Sequence, residues 1–220
     1  EATERTKRAR QMFDASVGRH GLPIAERGSE ASGASVAWLK EHGREDEVIA
    51  WRGRLSDLIV VGRPGDSEDV LTPMVLNAAL FETGRPVMVV PPKSESLARK
   101  RVAISWNGSQ QSARAVSFAI KILEQAEAVM VLTADSSRTS GTRGPELATY
   151  LEWHGIQPDT KVFESPAGSV GPRLLEECSN FGADLLVTGA YTHSRMRQFI
   201  LGGVTKHVLG HAQIPMLMAH

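Results

Sequence analysis

Two short glycine segments hold the chemistry that stands out in this chain. Gly189-Ala190-Tyr191-Thr192-His193-Ser194-Arg195 closes an apolar run, and Gly202-Gly203-Val204-Thr205 opens a helical stretch further on. A glycine at a strand end lets a ligand come close to the backbone. A glycine pair at a helix start leaves free N–H groups for an anion, and the helix dipole assists. Thr205 adds a hydroxyl to that anion or caps its own helix. A phosphate held on the amides of Gly189, Gly202, Gly203 and Val204, with Thr205 assisting and Ala190 and Thr192 among the residues lining the site, is the expected chemistry, against a bland reading of tight turns and capping.

The other reactive types point less firmly. His207 and His211 stand four apart on one helical face, without an acidic third ligand between them, so partner-facing or solvated histidines are expected over a metal site. His193 reads as a surface-loop histidine, and Arg195 and Arg197 stand near the proposed anion site. Cys178 lies on an amphipathic stretch and reads as a small semi-buried apolar residue rather than a redox group. There is no P-loop, Cys/His cluster, carboxylate dyad or Gly-x-Ser-x-Gly elbow, so no catalytic residue is assigned and a hydrolase is hard to argue.

The elements that must position these residues come in a repeat. Ser56-Asp57-Leu58-Ile59-Val60-Val61-Gly62 leads to Gly84-Arg85-Pro86-Val87-Met88-Val89-Val90; Ala183-Asp184-Leu185-Leu186-Val187-Thr188-Gly189 leads to Gln213-Ile214-Pro215-Met216-Leu217-Met218. From Asp57 to Pro86 is 29 residues and from Asp184 to Pro215 is 31. A fixed internal period sets the architecture before any site is read. In the second copy, strands are expected at Arg101–Ser105, Ala128–Thr133, Thr160–Glu164, Asp184–Thr188 and Ile214–Ala219. Helices are expected at Ser109–Gln125, Pro145–His154, Val170–Phe181 and Gly203–His211. Near-continuous Val, Leu and Ile strands alternating with helices indicate a parallel sheet covered on both faces.

The first copy starts late: helix Glu1–Arg19, strand Ser35–Glu41, helix Glu45–Leu55, strand Leu58–Val61, helix Pro73–Glu82, strand Val87–Val90. Nothing in it matches the strand–helix–strand of Arg101–Ala134, which leaves strand edges without partners. Residues ahead of Glu1 are the expected filler, with another chain as the rival. Trp38 and Trp51 read as core or inter-copy contacts. The expected organisation is α/β, with two tandem flavodoxin-like or Rossmann-like halves carrying parallel five-stranded sheets. The first half spans residues 1–92, a linker 93–100 and the second half 101–220.

Bulk properties bound the partners. The 220 residues carry 25 Lys plus Arg and 25 Asp plus Glu, so no basic field points to nucleic acid or a membrane surface. No apolar run reaches the ~20 residues of a membrane helix. A lone cysteine suits a reducing cytoplasm.

Over Arg101–His220, and more loosely over Gly43–Pro92, the chain resembles the universal stress protein family, whose Gly-x2-Gly-x9-Gly-Ser/Thr loop follows the fourth strand and often binds ATP. Gly189 matches the first glycine and Gly202 the third; Thr192 replaces the second and Gly203 replaces the Ser/Thr. Asn107 stands where the family's first strand usually ends on an acidic residue. The resemblance implies ATP, with Mg2+, in the second copy only, its adenosine against Ser105, Trp106, Asn107 and Thr133, and a role in stress response. It also implies that Val87–Val90 and Met216–Ala219 pair antiparallel in an intrachain pseudo-dimer, with a homodimer of chains as a further expectation. In the first copy Pro73-Met74 replaces Gly-Gly, so its amide array lacks an N–H and that copy reads as a structural partner. The alternative is a stress or interaction protein of the same fold that binds no nucleotide; a slow ATPase has least support.

Overall fold

A computed structural model describes residues 2–26, 32–63, 73–92, 94, 99–135, 144–166, 169–190 and 203–220. The chain divides by compactness into Glu1–Gly43 and Arg44–His220.

The smaller unit is built on α1, Ala2–His20. Glu4 lies in its first turn and Arg19 and His20 in its last, each matched to the helix dipole. Phe13 packs on Trp38 with ring centroids 5.3 Å apart. The expected strand at Ser35–Glu41 is a single parallel bridge, Ile24 to Val36. A strand needs a ladder along its length, and the first copy has no counterpart of the strand that supplies one in the second.

The larger unit runs α2 (Glu45–Gly53), β1 (Ile59–Gly62), α3 (Pro73–Glu82), β2 (Val87–Val90), β3 (Arg101–Ser105), α4 (Gln110–Leu123) and β4 (Ala128–Asp135). It continues with α5 (Gly144–Glu152), β5 (Asp159–Glu164), α6 (Val170–Phe181), β6 (Leu185–Gly189), α7 (Gly203–His211) and β7 (Met216–Ala219). Its strands form one seven-stranded sheet in the order β1-β2-β7-β6-β3-β4-β5. The second copy supplies five parallel strands, β7-β6-β3-β4-β5, and the first adds β1 and β2. The seam is antiparallel, with Val87 opposite Met218, Met88 opposite Leu217 and Val89 opposite Met216. Every seam residue is at most 2% exposed. Two last strands that would each have been a bare edge satisfy one another's amides and carbonyls.

Successive side chains on each strand face opposite ways, so the apolar runs feed two cores. One joins Val61, Val87, Val89, Leu186, Met216 and Met218 to Leu80 on α3, Leu174 on α6 and Val208 on α7. The other joins Met88, Val102, Ile104, Val131, Val187 and Leu217 to Val116 and Leu123 on α4 and Leu147 and Leu151 on α5. Each such side chain contributes about 1.5–3 kcal/mol of transfer free energy, which is what holds helices to both faces. Trp51 departs from its expected core role: it is 46% exposed on α2, with the Arg52 guanidinium 4.5 Å over its ring.

Candidate functional site

β3 is the pivot of the sheet. It pairs with β6 on one side and β4 on the other, so chain crossovers leave it in opposite directions, the topology in which open α/β sheets bind ligands beyond the strands' carboxyl ends. Register sets Ser105 beside Leu132 of β4 and Thr188 of β6. Ser105, Trp106, Asn107, Thr133, Gly189 and Ala190 therefore meet at one end of the sheet, as their sequence positions led us to expect.

Local chemistry divides this set. Trp106 extends the β3 pairing by donating its backbone N–H to Leu132 O at 2.9 Å. Its indole Nε1 is buried without a hydrogen-bond partner among the described residues, and so is Thr133 Oγ1. Thr133 is 5% exposed, and a Cβ on Gly144 at the head of α5 would stand 3.1 Å from its hydroxyl. A buried donor without a partner costs about 1–3 kcal/mol, so these two atoms mark a place where a polar group belongs.

Asn107 is committed elsewhere. Its Oδ1 accepts from Ser109 N at 3.1 Å, closing a turn through Gly108, whose φ of +69° suits glycine. Ser109 then caps α4, accepting from Ser112 N at 3.1 Å, while Ser112 Oγ donates to Ser109 O at 2.9 Å. The position where the family carries an acid here builds a helix entrance.

Gly189 is explained by packing. A Cβ there would fall 2.6 Å from the Ser112 nitrogen and 2.8 Å from the Gln111 carbonyl carbon, both backbone atoms of α4. Ala190 is fully buried; its N–H donates to Ala219 O at 2.8 Å and its carbonyl accepts from His220 Nδ1 at 3.0 Å. The Ala190 amide, a residue expected to line the nucleotide site, is thus taken by the sheet.

Gly203, Val204 and Thr205 form the first turn of α7, with no acidic side chain there to occupy the N-terminal amides. Gly203 is exposed, and a Cβ on it would meet none of the described residues within 4 Å. α7 is nine residues, ~13 Å long. Its last turn leads into β7, so its first turn points back toward the carboxyl end of the sheet. Thr192, Gly202, His193, Arg195 and Arg197 lie outside the described residues.

The histidine pair is a stack. The His207 and His211 rings lie 4.1 Å apart at 13°, and His211 Nδ1 bonds His207 O at 2.8 Å. Burial, then the neighbouring His211, pushes the His207 pKa down. Among the described residues no group of three or more His, Cys, Asp or Glu is arranged to hold a metal. Cys178 is 2% exposed, and burial followed by the Glu177 charge raises its pKa to about 12, so it is an inert thiol.

Sequence reasoning missed an ionic cluster. Glu177 on α6 is 4% exposed and accepts from Lys161 Nζ of β5 at 2.5 Å and from Arg173 Nη2 at 3.3 Å. The spacing of Arg173 and Glu177 on a helix was readable, but the burial of the carboxylate was not. No helix among the described residues is long and apolar enough to cross a membrane.

A mostly parallel sheet with helices on both faces and crossovers that diverge at β3 defines an α/β protein of flavodoxin-like architecture. Residues 99–220 match the universal stress protein family, and the chain belongs to that family. Among solved structures, a universal stress protein from Archaeoglobus fulgidus DSM 4304 is similar in fold, with TM-score 0.72 and 15% identity over 97% of this chain and 78% of that one. A functionally unknown protein from Pseudomonas aeruginosa PAO1 gives TM-score 0.60 and 19% identity over 96% of this chain and 77% of its own. A putative universal stress protein from Pseudomonas aeruginosa UCBPP-PA14 gives 0.57 and 18% over 95% and 77%. No curated protein sequence matches the chain.

Proposed function

We propose that the second copy binds an adenine nucleotide, ATP with Mg2+, as a stress-response module and not as an enzyme. The carrying observation is the pair of buried, unpartnered polar atoms, Trp106 Nε1 and Thr133 Oγ1, at the carboxyl ends of β3 and β4. An indole N–H only donates, and a threonine hydroxyl both donates and accepts. The edge of an adenine offers ring-nitrogen acceptors and an amino donor, which complement that pair. The first-turn amides of α7 at Gly203 and Val204 would take phosphate oxygens, with Thr205 beside them, and the exposure of Gly203 and Val204 supports that role. Bound Mg2+ would offset phosphate charge in a site whose described first turn carries no acidic side chain.

A second reading, a partner-binding protein of the same fold without nucleotide, draws on the internal commitments of the site. Asn107 Oδ1 and the Ala190 N–H are both spent within the protein. Titration calorimetry with ATP and magnesium separates the two. Saturable binding that weakens in Trp106→Phe, which lacks the N–H, supports the nucleotide reading. The absence of saturable heat at millimolar ATP would sink it.

A further inference from the structure

The segment from Ala190 to Ala212 contains α7, and the first copy reaches both of its ends, directly at the trailing end and through His220 at the leading one. At the leading end, the Ala190 carbonyl accepts from His220 Nδ1 at 3.0 Å. A carbonyl only accepts, so this bond puts the proton on Nδ1. The His220 ring is set in turn by Phe81 of α3, edge-on with centroids 4.4 Å apart, and the His220 carbonyl is held by Arg114 Nη1 at 2.9 Å. At the trailing end, Arg63 Nη1 donates to the carbonyl of Ala212, the residue just past α7.

Arg63 follows Gly62 of β1 as Ala190 follows Gly189 of β6, and the two make the same backbone bond: Arg63 N to Val90 O at 2.7 Å, Ala190 N to Ala219 O at 2.8 Å. Arg63 belongs to the glycine segment of the first copy, where the later Gly-Gly has become Pro73-Met74. The side chain that follows the strand in that segment reaches across the seam into the second copy. Its placement has a direct electrical meaning, because a cation at a helix C-terminus stabilises the helix dipole whose other end faces the anion. Two other carbonyls at this end accept from side chains: His207 O from His211 Nδ1 at 2.8 Å and His211 O from Gln213 Nε2 at 3.1 Å.

We propose that the first copy is an intramolecular clamp on the second. Arg63 fixes the C-terminal end of α7, Phe81 through His220 fixes the end of β6, and together they set how firmly the α7 first turn is presented to its ligand. Arg63 and Phe81 are positioning residues that do not touch the ligand. The effect on affinity rests on the nucleotide reading; the clamp on α7 does not.

The test uses the full chain with Arg63→Met, Arg63→Lys and Phe81→Leu, read by amide hydrogen exchange and by ATP titration. In Arg63→Met the α7 amides exchange several-fold faster while those of β3 keep the wild-type rate, and ATP affinity falls about fivefold, the worth of one hydrogen bond. Arg63→Lys, which keeps a donor and the charge, recovers most of both. Phe81→Leu speeds exchange at the end of β6 and weakens ATP to a similar extent. Unchanged α7 exchange in Arg63→Met overturns the clamp, and faster exchange with unchanged ATP affinity overturns its role in binding. If wild-type protein binds no ATP yet Arg63→Met still loosens α7, the clamp stands and the nucleotide reading falls.

Discussion

Gly189 and Ser112 approach so closely that a Cβ on Gly189 would stand 2.6 Å from the Ser112 amide nitrogen. The first glycine of the loop is therefore the point where α4 rests on the end of β6. Neither side can give, since both are backbone. Gly189→Ala should destabilise the fold by about 1–3 kcal/mol, the usual cost of overpacking, whether or not a nucleotide is present. Chemical denaturation monitored by tryptophan fluorescence checks this; an unchanged midpoint would refute the packing role.

Gly203 gives the opposite expectation. No described residue lies within 4 Å of its missing Cβ, and the family motif carries a hydroxyl at this position. Gly203→Ser should leave thermal stability within about 0.5 kcal/mol, as for an exposed surface site. It should strengthen ATP binding by about fivefold through one added hydrogen bond. Gly203→Asp should fold equally well and abolish binding, because its carboxylate would oppose phosphate charge. Equal affinity in the two variants would place the phosphates elsewhere.

The buried Glu177 carboxylate ties edge strand β5 to α6 through Lys161, and Arg173, one turn back on α6, shares it; the two cationic side chains are 47% and 36% exposed. Removing one cation leaves the other, so Lys161→Met alone should cost about 1 kcal/mol. The double change Lys161→Met with Arg173→Met strands a buried charge and should cost about 3 kcal/mol or more. A double-mutant cycle showing simple additivity would mean that the two cations do not share one carboxylate.

Cys178 supplies a pH signature. Its folded pKa is raised to about 12 from an ordinary value of 9.0. The unfolded thiol therefore ionises first as pH rises. Its contribution to stability is complete below about pH 9 and is lost progressively toward pH 12, on the order of 1 kcal/mol per pH unit. Cys178→Ala should remove that slope while lowering stability at pH 7, and alkylation of the native thiol at pH 8 should track unfolding. Rapid alkylation of folded protein would contradict the buried environment.

Fold was legible because it rests on period and apolar content. The runs Asp57–Val61, Val87–Val90, Asp184–Thr188 and Met216–Ala219 predict strands within a residue or two of β1, β2, β6 and β7. Gly182 marks the end of α6 in the left-handed conformation expected of it. The strand at Ser35–Glu41 failed because strand propensity carries no ladder of its own; among the described residues only Val36 of that stretch finds a partner.

The sequence by itself determined the α/β alternation, the repeat and the small set of residues that could face a ligand, because periodicity and glycine placement are local properties. Tertiary structure alone decided which of those residues are free to act. It gave Gly189 to α4, the Ala190 amide to β7 and Asn107 to a turn, and it left Trp106 Nε1 and Thr133 Oγ1 buried without partners among the described residues. It also joined Arg63 to Ala212 across 149 residues of chain. Whether a polar atom is satisfied depends on neighbours distant in sequence, and no spacing along the chain encodes that.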